Sequence, residues 1–428
     1  MRVIADLHIH SRYSRATSPQ MGVETLSSHA KTKGVNLLGT GDFTHPKYFS
    51  ELKRHLKPYR DDEGTGLYEC GGMAFMLTSE VSCIWPKNGV KRAHLCLCAP
   101  SLEIAEQVNE GLGKIGNLSA DGRPVFGAGL PQVTELVMGV SRDCFVYPAH
   151  AWTPWFSVFG SESGFDSMEE AFEDQVKHVH ALETGLSSDP PMNWRLSALD
   201  KYALLSNSDA HSPEKIGREA NVFELPENGV SYKAVLGAVE KKDLSRFKMT
   251  VEFFPEEGKY HWDGHRAHEV SMAPKDAIAG GNLCPVCGKP LTIGVLHRVE
   301  ELADRPEGFA PKGAVPFVHL VPLKEVIGDA LESGAATKSV QQEYDRLVSG
   351  FGTELDVLLC AKPSELRAAA PERVAEAVLR AREGNVLLKP GYDGVYGKVS
   401  LFAKGGKPEE KRGDAARASG QKGLTEFC

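Results

Sequence analysis

The residues with the clearest chemical potential open the chain. Asp6-Leu7-His8-Ile9-His10-Ser11 places two imidazoles two positions apart at the end of a short apolar run, Val3-Ile4-Ala5. On a strand, residues i and i+2 point to the same side, so both rings can reach one ion. Strand ends are also where barrel-type α/β folds carry their chemistry. Ligand-forming types recur beside later apolar runs: Asp42, Glu80, His94, His150, Asp209 and His211. Imidazole nitrogen and carboxylate oxygen both bind divalent metals. One such residue at a strand end is ordinarily a cap or a satisfied core group. A series of them at successive strand ends predicts a cluster able to hold more than one ion, with Glu80 as the natural bridging carboxylate. Two ions about 4 Å apart can activate a water and stabilise both oxygens of an in-line displacement at phosphorus.

The elements that must position these residues alternate over 1–256. Strand patterns are predicted at 3–5, 35–40, 73–78, 93–99, 144–147, 179–183, 203–206 and 249–254. Helical patterns lie at 23–33 (closed by Gly34), 44–57 (with Pro46 near its start), 102–115 and 132–140. Alternation of this length predicts parallel strands closed, or nearly closed, into a barrel. With 428 residues, the chain exceeds one typical core, so two or three units are expected. No apolar run is long enough to span a membrane, and the N-terminus lacks signal-peptide character. Nine cysteines, odd in number and scattered, suit a reducing cytoplasm better than a disulfide framework. A net charge of −8 argues against non-specific coating of nucleic acid, but not against an enzyme with a local basic channel.

A second unit is predicted over 257–300. His265-Arg266-Ala267-His268 and Cys284-Pro285-Val286-Cys287-Gly288 have the spacing of a zinc knuckle. A lone Cys-x-x-Cys could instead be a redox pair, and His261 and His297 compete as ligands. Gly288 lets the chain turn so that backbone N–H groups face the sulfurs, and without metal the unit is too short to bury its own core. Residues 301–402 read as a mainly helical domain, with helices at 323–332, 339–348 and 365–383, the last broken near Pro371. Within it, 391–397 (Gly391-Tyr392-Asp393-Gly394-Val395-Tyr396-Gly397) is either a tight double turn or a pocket loop whose exposed amides and aromatic faces hold a planar ligand. From 403 to 428 the composition predicts a disordered tail. Trp152 and Trp155, close after His150, form either a clasp closing the barrel or an aromatic wall that stacks on a base. Arg15 is placed to steer a phosphate, or is a surface arginine.

Asp6-x-His8-x-His10-Ser11, Gly41-Asp42, Glu80, His94, Pro148-Ala149-His150 and Ser208-Asp209-x-His211 together resemble the polymerase-and-histidinol-phosphatase (PHP) superfamily. The resemblance implies a distorted (β/α)7 barrel and two or three divalent cations (magnesium, manganese or zinc) that hydrolyse phosphoesters. His8, His10, Glu80 and Asp209, the implied catalytic set, would hold one cation, and Glu80, His94 and His150 a second. Many members have Thr-Asp-His where this chain has Gly41-Asp42-Phe43, and a further histidine where it has Ser14-Arg15-Ala16. A third site would therefore rest on Asp42 and His211, helped by His45. With the knuckle around Asp263-Gly264-His265-Arg266, the 294–304 stretch, Pro390-Gly391-Tyr392-Asp393-Gly394 and Thr40-Gly41-Asp42-Phe43-Thr44-His45-Pro46, the chain resembles the endonuclease Q family over about 1–402. His268 stands where that family often has cysteine. The family implies a structural zinc beside the barrel cations. It also implies a substrate of double- or single-stranded DNA with a deaminated base or abasic site, cut on the 5′ side; the loop's own chemistry, not the family, suggests Gly391, Tyr392, Asp393 and Gly394 for a base pocket. A sliding clamp is a partner the sequence leaves open. The rival readings are a small-molecule phosphomonoesterase of the histidinol-phosphatase type and a non-catalytic PHP scaffold that binds DNA.

Overall fold

The computed structural model describes residues 1–403. Its centre is a ring of strands whose short apolar sequences are buried on both faces, as parallel strands under helices must be. β1 (Arg2–Asp6) runs parallel to β2 (Leu37–Gly39), and β2 parallel to β3 (Met73–Pro86). β3 turns back into β4 (Val90–Ala99), antiparallel to it throughout, and β4 pairs antiparallel with β5 (Phe145–Pro148). A bridge from Val146 to Val179 leads to β6 (Ala181–Glu183), parallel to β7 (Ala203–Leu205). The ring closes where Ile9 bridges Ala210 and the His10 N–H donates to the Ala210 carbonyl at 2.9 Å. This is the expected distorted seven-stranded barrel. β8 (Ala220–Glu224) and β9 (Phe247–Glu252) extend the sheet from β1 in antiparallel fashion.

The distortion has a consequence for the site. The sequence pattern ends a strand before Glu80 and places His94 near the start of another. In the structure Glu80 and His94 both lie within one long hairpin, with Glu80 opposite Cys96 and Ser82 opposite His94. Because β4 runs against its neighbours, its N-terminal half lies at the end of the ring where the parallel strands terminate. His94 therefore reaches the same rim as the strand-end residues.

Helices cover the ring. α1 (Val23–Lys33) ends at Gly34, whose φ of 93° is the left-handed C-cap that glycine adopts without steric cost. α2 (Pro46–His55) starts with proline, which lacks the N–H that a first turn leaves unused. α3 (Leu102–Leu112) is capped by the Ser101 hydroxyl, and α4 (Leu130–Val140) completes the barrel set used here.

Beyond the barrel, a small hairpin pairs Asp263–His265 with Val270–Met272, followed by α5 (Val295–Leu302). Then β10 (Phe317–His319) joins the main sheet parallel to β9, a strand absent from the sequence reading. α6 (Leu323–Ala330), α7 (Lys338–Phe351), α8 (Pro363–Ala369) and α9 (Glu372–Arg382) follow, with Pro371 separating the last two. These helices are tied to the barrel by a buried ion pair, Lys33 Nζ to Glu354 Oε2 at 2.5 Å. The Tyr344 hydroxyl (2.8 Å) and the Leu323 N–H (3.0 Å) also donate to Glu354. Removing one partner from such a pair leaves an uncompensated buried charge, at a cost of about 3–5 kcal/mol. The tail expected from 403 lies, apart from Ala403, outside the described residues. No helix among those residues is long and apolar enough to cross a membrane.

Just past the C-terminal end of β6, Glu252 is fully buried and accepts from Thr184 Oγ1 at 2.9 Å. Burial, with the nearby charge of Asp189, pushes its pKa up to about 8 against the opposing hydrogen bonds, and burial and Glu252 push Glu219 up as well. The unfolded chain releases these protons near the ordinary carboxylate value, whereas the folded chain keeps them. Stability should therefore fall as pH rises from about 4.5 to about 8, by at most ~1.4 kcal/mol per pH unit for each group. Urea unfolding at pH 6 and pH 8 should show the decline, and Glu252→Gln should flatten it.

Candidate metal centre

Two groups of donor atoms share Glu80 at the rim of the ring. His8, His10, Glu80 and Asp209 offer ligand atoms all within 4.8 Å of one another, and so do Glu80, His94 and His150. In the first group His10 Nε2 is 3.1 Å from both Glu80 Oε2 and Asp209 Oδ1, and His8 Nε2 is 3.5 and 3.7 Å from them. In the second, Glu80 Oε1 is 2.8 Å from His94 Nδ1 and 3.1 Å from His150 Nε2. One carboxylate thus turns one oxygen to each group. The fit to cations rests on the buried polar atoms. His8 Nε2, His10 Nε2 and Asp209 Oδ1 are enclosed without a hydrogen-bond partner although they face one another. A buried polar atom left so is costly, and a divalent cation satisfies all three.

The surrounding residues orient these donors. His8 Nδ1 lies 2.9 Å from Glu183, His10 Nδ1 lies 3.0 Å from Asp42, and His150 Nδ1 lies 3.1 Å from Ser157 Oγ. Such partners fix the tautomer and ring plane of a ligating histidine. Glu183 also accepts from the His150 N–H and from Asn207 Nδ2, at 2.9 and 2.8 Å. It therefore braces both donor groups. Asp6, at the end of β1, accepts from the Ser208 N–H and hydroxyl and from the Gly217 N–H, which holds the loop that carries Asp209. Asp42, His150 and Asp209 all have positive φ, at 48°, 29° and 47°. Backbone of this kind persists only where surrounding contacts over-determine it.

Electrostatics separate the donors. Burial pulls His94 down to about 4 against the opposing pull of Glu80. Burial alone would raise Glu80, but His94, Arg123 and His8 outweigh it and hold the carboxyl well below its ordinary range. For His10, burial acts downward, yet Asp42, Asp209 and Glu80 carry the net direction well upward. Arg123 Nη1 reaches Glu80 Oε2 at 2.9 Å. It sits on a loop that closes over the site through Gly122, where a Cβ would meet Asp42 Oδ2 and Ser14 Oγ at 2.3 Å. Residues at a strand end that face inward were the signal that could have found Glu183. Nothing in the spacing around Arg123 marks it.

Several expected residues are placed elsewhere. Asp42 does not join a donor group. Its Oδ2 accepts from the Ser11 N–H (2.6 Å), the Ser11 hydroxyl (2.6 Å) and the Ser14 hydroxyl (2.8 Å), and its Oδ1 faces His10. His211 turns Nδ1 to the Asp209 carbonyl at 2.9 Å, and its ring lies tilted 4.5 Å from that of His10. His45 caps α2 and stacks at 4.5 Å on Tyr13. The three do not converge on a third group among the described residues. Trp152 is fully buried and donates to Asn193 at 2.8 Å, so it is core and cannot face a base. Trp155 remains 37 % exposed. Arg15 is exposed, with its N–H on Asp121, and Arg123 is the arginine that reaches the cluster.

The 391–397 loop is a brace. The Gly391, Tyr392, Gly394, Val395 and Gly397 N–H groups donate to Glu256, Val395, Lys259, Tyr392 and Glu257 carbonyls, so these amides are not available to a ligand. Asp393 takes the Arg266 N–H and the Thr292 hydroxyl at 2.7 Å each, pinning the loop to the Cys/His unit. That unit brings His265, His268, Cys284 and Cys287 together within 4.8 Å. Against a burial penalty, His265 and the N–H groups of Cys287 and Val286 pull the Cys284 thiol down to about 6. A thiolate-forming Cys2His2 set fits a structural zinc. His297 is engaged elsewhere, with Nδ1 at 2.6 Å from Asp263, and His261 is not part of the set.

With this geometry, comparison with known proteins is informative. The family model for the MJ0043 C-terminal domain matches residues 322–385. The uncharacterized protein YqxK of Bacillus subtilis is 30% identical over 410 residues, covering 93% of this chain and 99% of that protein. The crystal structure of the lesion-specific endonuclease PfuEndoQ from Pyrococcus furiosus superposes with a TM-score of 0.83 at 32% identity, covering 94% of this chain and 96% of that one. A structure of endonuclease Q with a 27-mer duplex bearing an abasic lesion at its active site gives 0.83 at 33% identity, covering 96% and 99%. The chain belongs to the endonuclease Q family. The endonuclease Q fold is shared over nearly the whole chain, so the barrel, the Cys/His unit and the C-terminal helices are parts of one metal-dependent DNA-cleaving enzyme.

Two measurements test the geometry. Glu183→Ala should lower the affinity for Mg²⁺ or Mn²⁺, by calorimetry, by about 10–100-fold, with Glu183→Gln in between. Cys287→Ser should lose the zinc detected by elemental analysis in the wild-type protein and lower Tm.

Proposed function

We propose that this chain is a DNA repair endonuclease that hydrolyses the phosphodiester on the 5′ side of a deaminated base (hypoxanthine, uracil or xanthine) or of an abasic site. The observation that carries the reading is the shared carboxylate. Glu80 joins two donor groups in a chain similar throughout to an endonuclease Q structure that holds an abasic duplex at its active site.

The first cation would be held by His8, His10, Glu80 and Asp209, and the second by Glu80, His94 and His150. Bound there, divalent cations supply Lewis acidity to a phosphodiester oxygen and lower the pKa of water. The chain's own residues do the rest. His8 and His10 are kept in one orientation by Glu183 and Asp42, so the donors need little reorganisation when substrate arrives. Arg123 carries a guanidinium at the rim of the cluster and is positioned to bind a non-bridging phosphate oxygen through charge-assisted hydrogen bonds. Ser157 and the Glu183 carboxylate hold His150 so that the second donor group does not shift against the first.

Lesion choice requires the base to leave the stack. Deamination replaces an exocyclic amine by a carbonyl, a donor by an acceptor. A pocket of fixed donors accepts the carbonyl and leaves buried groups unpaired against the amine. An abasic site has no base to extrude, and flipping it costs least. The Cys/His unit and the C-terminal helices would clamp the duplex against the barrel.

The reading is tested with duplexes carrying one uracil, hypoxanthine or abasic site, incubated with Mg²⁺ or Mn²⁺. The wild-type protein should nick 5′ to the lesion and turn over a phosphomonoester poorly. Asp209→Ala should reduce nicking by roughly a thousandfold or more while the duplex still binds. Undiminished nicking by that variant would remove Asp209 from the centre, and phosphomonoester turnover without nicking would favour a small-molecule phosphatase.

A further inference from the structure

Aromatic rings and cations form a continuous path outward from the second donor group. Phe156 lies 4.9 Å from His94, with the Arg92 guanidinium 6.0 Å above its ring. Next in sequence, Trp155 is 37 % exposed and meets Tyr260 edge to face at 5.3 Å. Lys259 Nζ stands 5.7 Å from the centroids of both Tyr260 and Tyr396, and Tyr396 is 74 % exposed. A single exposed ring needs no explanation, but rings gathered beside cations make a surface suited to binding.

The backbone under this path is fixed. The Lys259 carbonyl accepts from Gly394 at 2.8 Å and the Tyr260 carbonyl from Val295 at 2.7 Å. On the barrel side the Trp155 carbonyl accepts from Thr153 Oγ1 at 3.0 Å, and the Phe156 carbonyl accepts from the His94 N–H at 3.0 Å. Phe156 itself holds a φ of 62°, uncommon for an aromatic residue and maintained by these contacts. Rings held in place lose little entropy when a planar partner stacks on them.

We propose that Trp155, Tyr260, Lys259 and Tyr396 form a stacking surface for unpaired bases of the strand that flanks the cut. The proposal rests on the nuclease reading for its strand and its position. The ligand class follows from the chemistry of the surface itself. Aromatic faces take bases of any sequence, while the Lys259 and Arg92 charges face a phosphate backbone. The surface joins the barrel to the 391–397 brace, so a strand lying on it would pass from the metal centre to the Cys/His unit.

The test uses the full chain with a (dT)12 oligonucleotide and, separately, a uracil-containing duplex. Wild-type tryptophan emission should be quenched by (dT)12, and Trp155→Phe should bind while losing most of that quench. Trp155→Ala and Tyr396→Ala should each weaken oligonucleotide binding about tenfold by anisotropy. Tyr396 is so exposed that its removal leaves the fold intact. If the wild-type protein nicks the duplex and both alanine variants bind (dT)12 as it does, the stacking surface is overturned and the nuclease reading stands. If the wild type does not nick but the quench and the alanine losses are present, the nuclease reading fails and the surface remains a single-strand site. Absence of (dT)12 binding by the wild type overturns the surface outright.

Discussion

The structure depends on how it handles one buried charge. Glu80 has no exposed surface, yet it remains ionised. Moving a carboxylate out of water costs several kcal/mol even after relaxation, so the groups around it decide whether the ring can form as it does. Glu252 provides the control within the same molecule. It is equally buried, it has hydroxyl donors and the charge of Asp189 nearby, and its pKa moves up to about 8. The two carboxylates share a degree of burial and shift in opposite directions because His94, Arg123 and His8 act on Glu80 whereas the charge of Asp189 acts on Glu252. A fold that needed only a filled interior would have followed the Glu252 pattern throughout. Concentrating ionised donors at one rim, with their partners aimed inward, is the arrangement that makes a cation site.

That arrangement imposes demands on the backbone. Donor atoms from distant parts of the chain must meet within a few ångströms, and regular strands alone do not deliver them. The chain meets this demand by reversing β4, which carries His94 to the rim from within a strand. It also holds Asp42, His150 and Asp209 in left-handed backbone. The cost of that conformation is met by contacts around it, including the Asp6 bonds to the loop of Asp209 and the Glu183 bond to the His150 N–H. Glu183 matters twice, since it also fixes the ring of His8. The two donor groups are therefore coupled mechanically as well as through Glu80.

The periodicity of the apolar runs made the ring legible in advance, because short buried strands and capped helices leave local marks such as Gly34 and Pro46. The donor types were legible because they recur beside apolar runs, although Glu80 and His94 lie within strands and not at their ends. What the sequence could not separate is a ligand from the residue that orients it. Asp42 has the right type and position, but its two oxygens are engaged by Ser11, Ser14 and His10, contacts set only once the loops fold together. Trp152 and Trp155 differ by three positions and have opposite fates, since Asn193, far along the chain, receives the indole N–H of the first. Arg123 escaped notice for the same reason, being defined by a loop that closes over the rim. The sequence reading stopped strand β3 at 78, short of Pro86, because a long hairpin gives no turn signal where a barrel strand would have stopped.

The 391–397 loop carries the comparison into function. Its glycines suggested free amides, yet those amides are spent on residues 256–259 and on the loop itself, and Asp393 is spent on the Cys/His unit. A loop with its polar groups so engaged is stiff, and stiffness is what a clamp requires. Two rigid bodies, the barrel rim and the braced Cys/His unit, then face each other through Trp155 and Tyr260. Any strand lying between them meets side chains rather than free backbone amides from this loop. Discrimination among bases would accordingly fall to donors on the barrel side, near the cations, while the far side contributes stacking that is indifferent to sequence. Such a division suits an enzyme whose substrates differ in the base and share the backbone, because sequence-tolerant grip and base-specific choice are then supplied by separate surfaces.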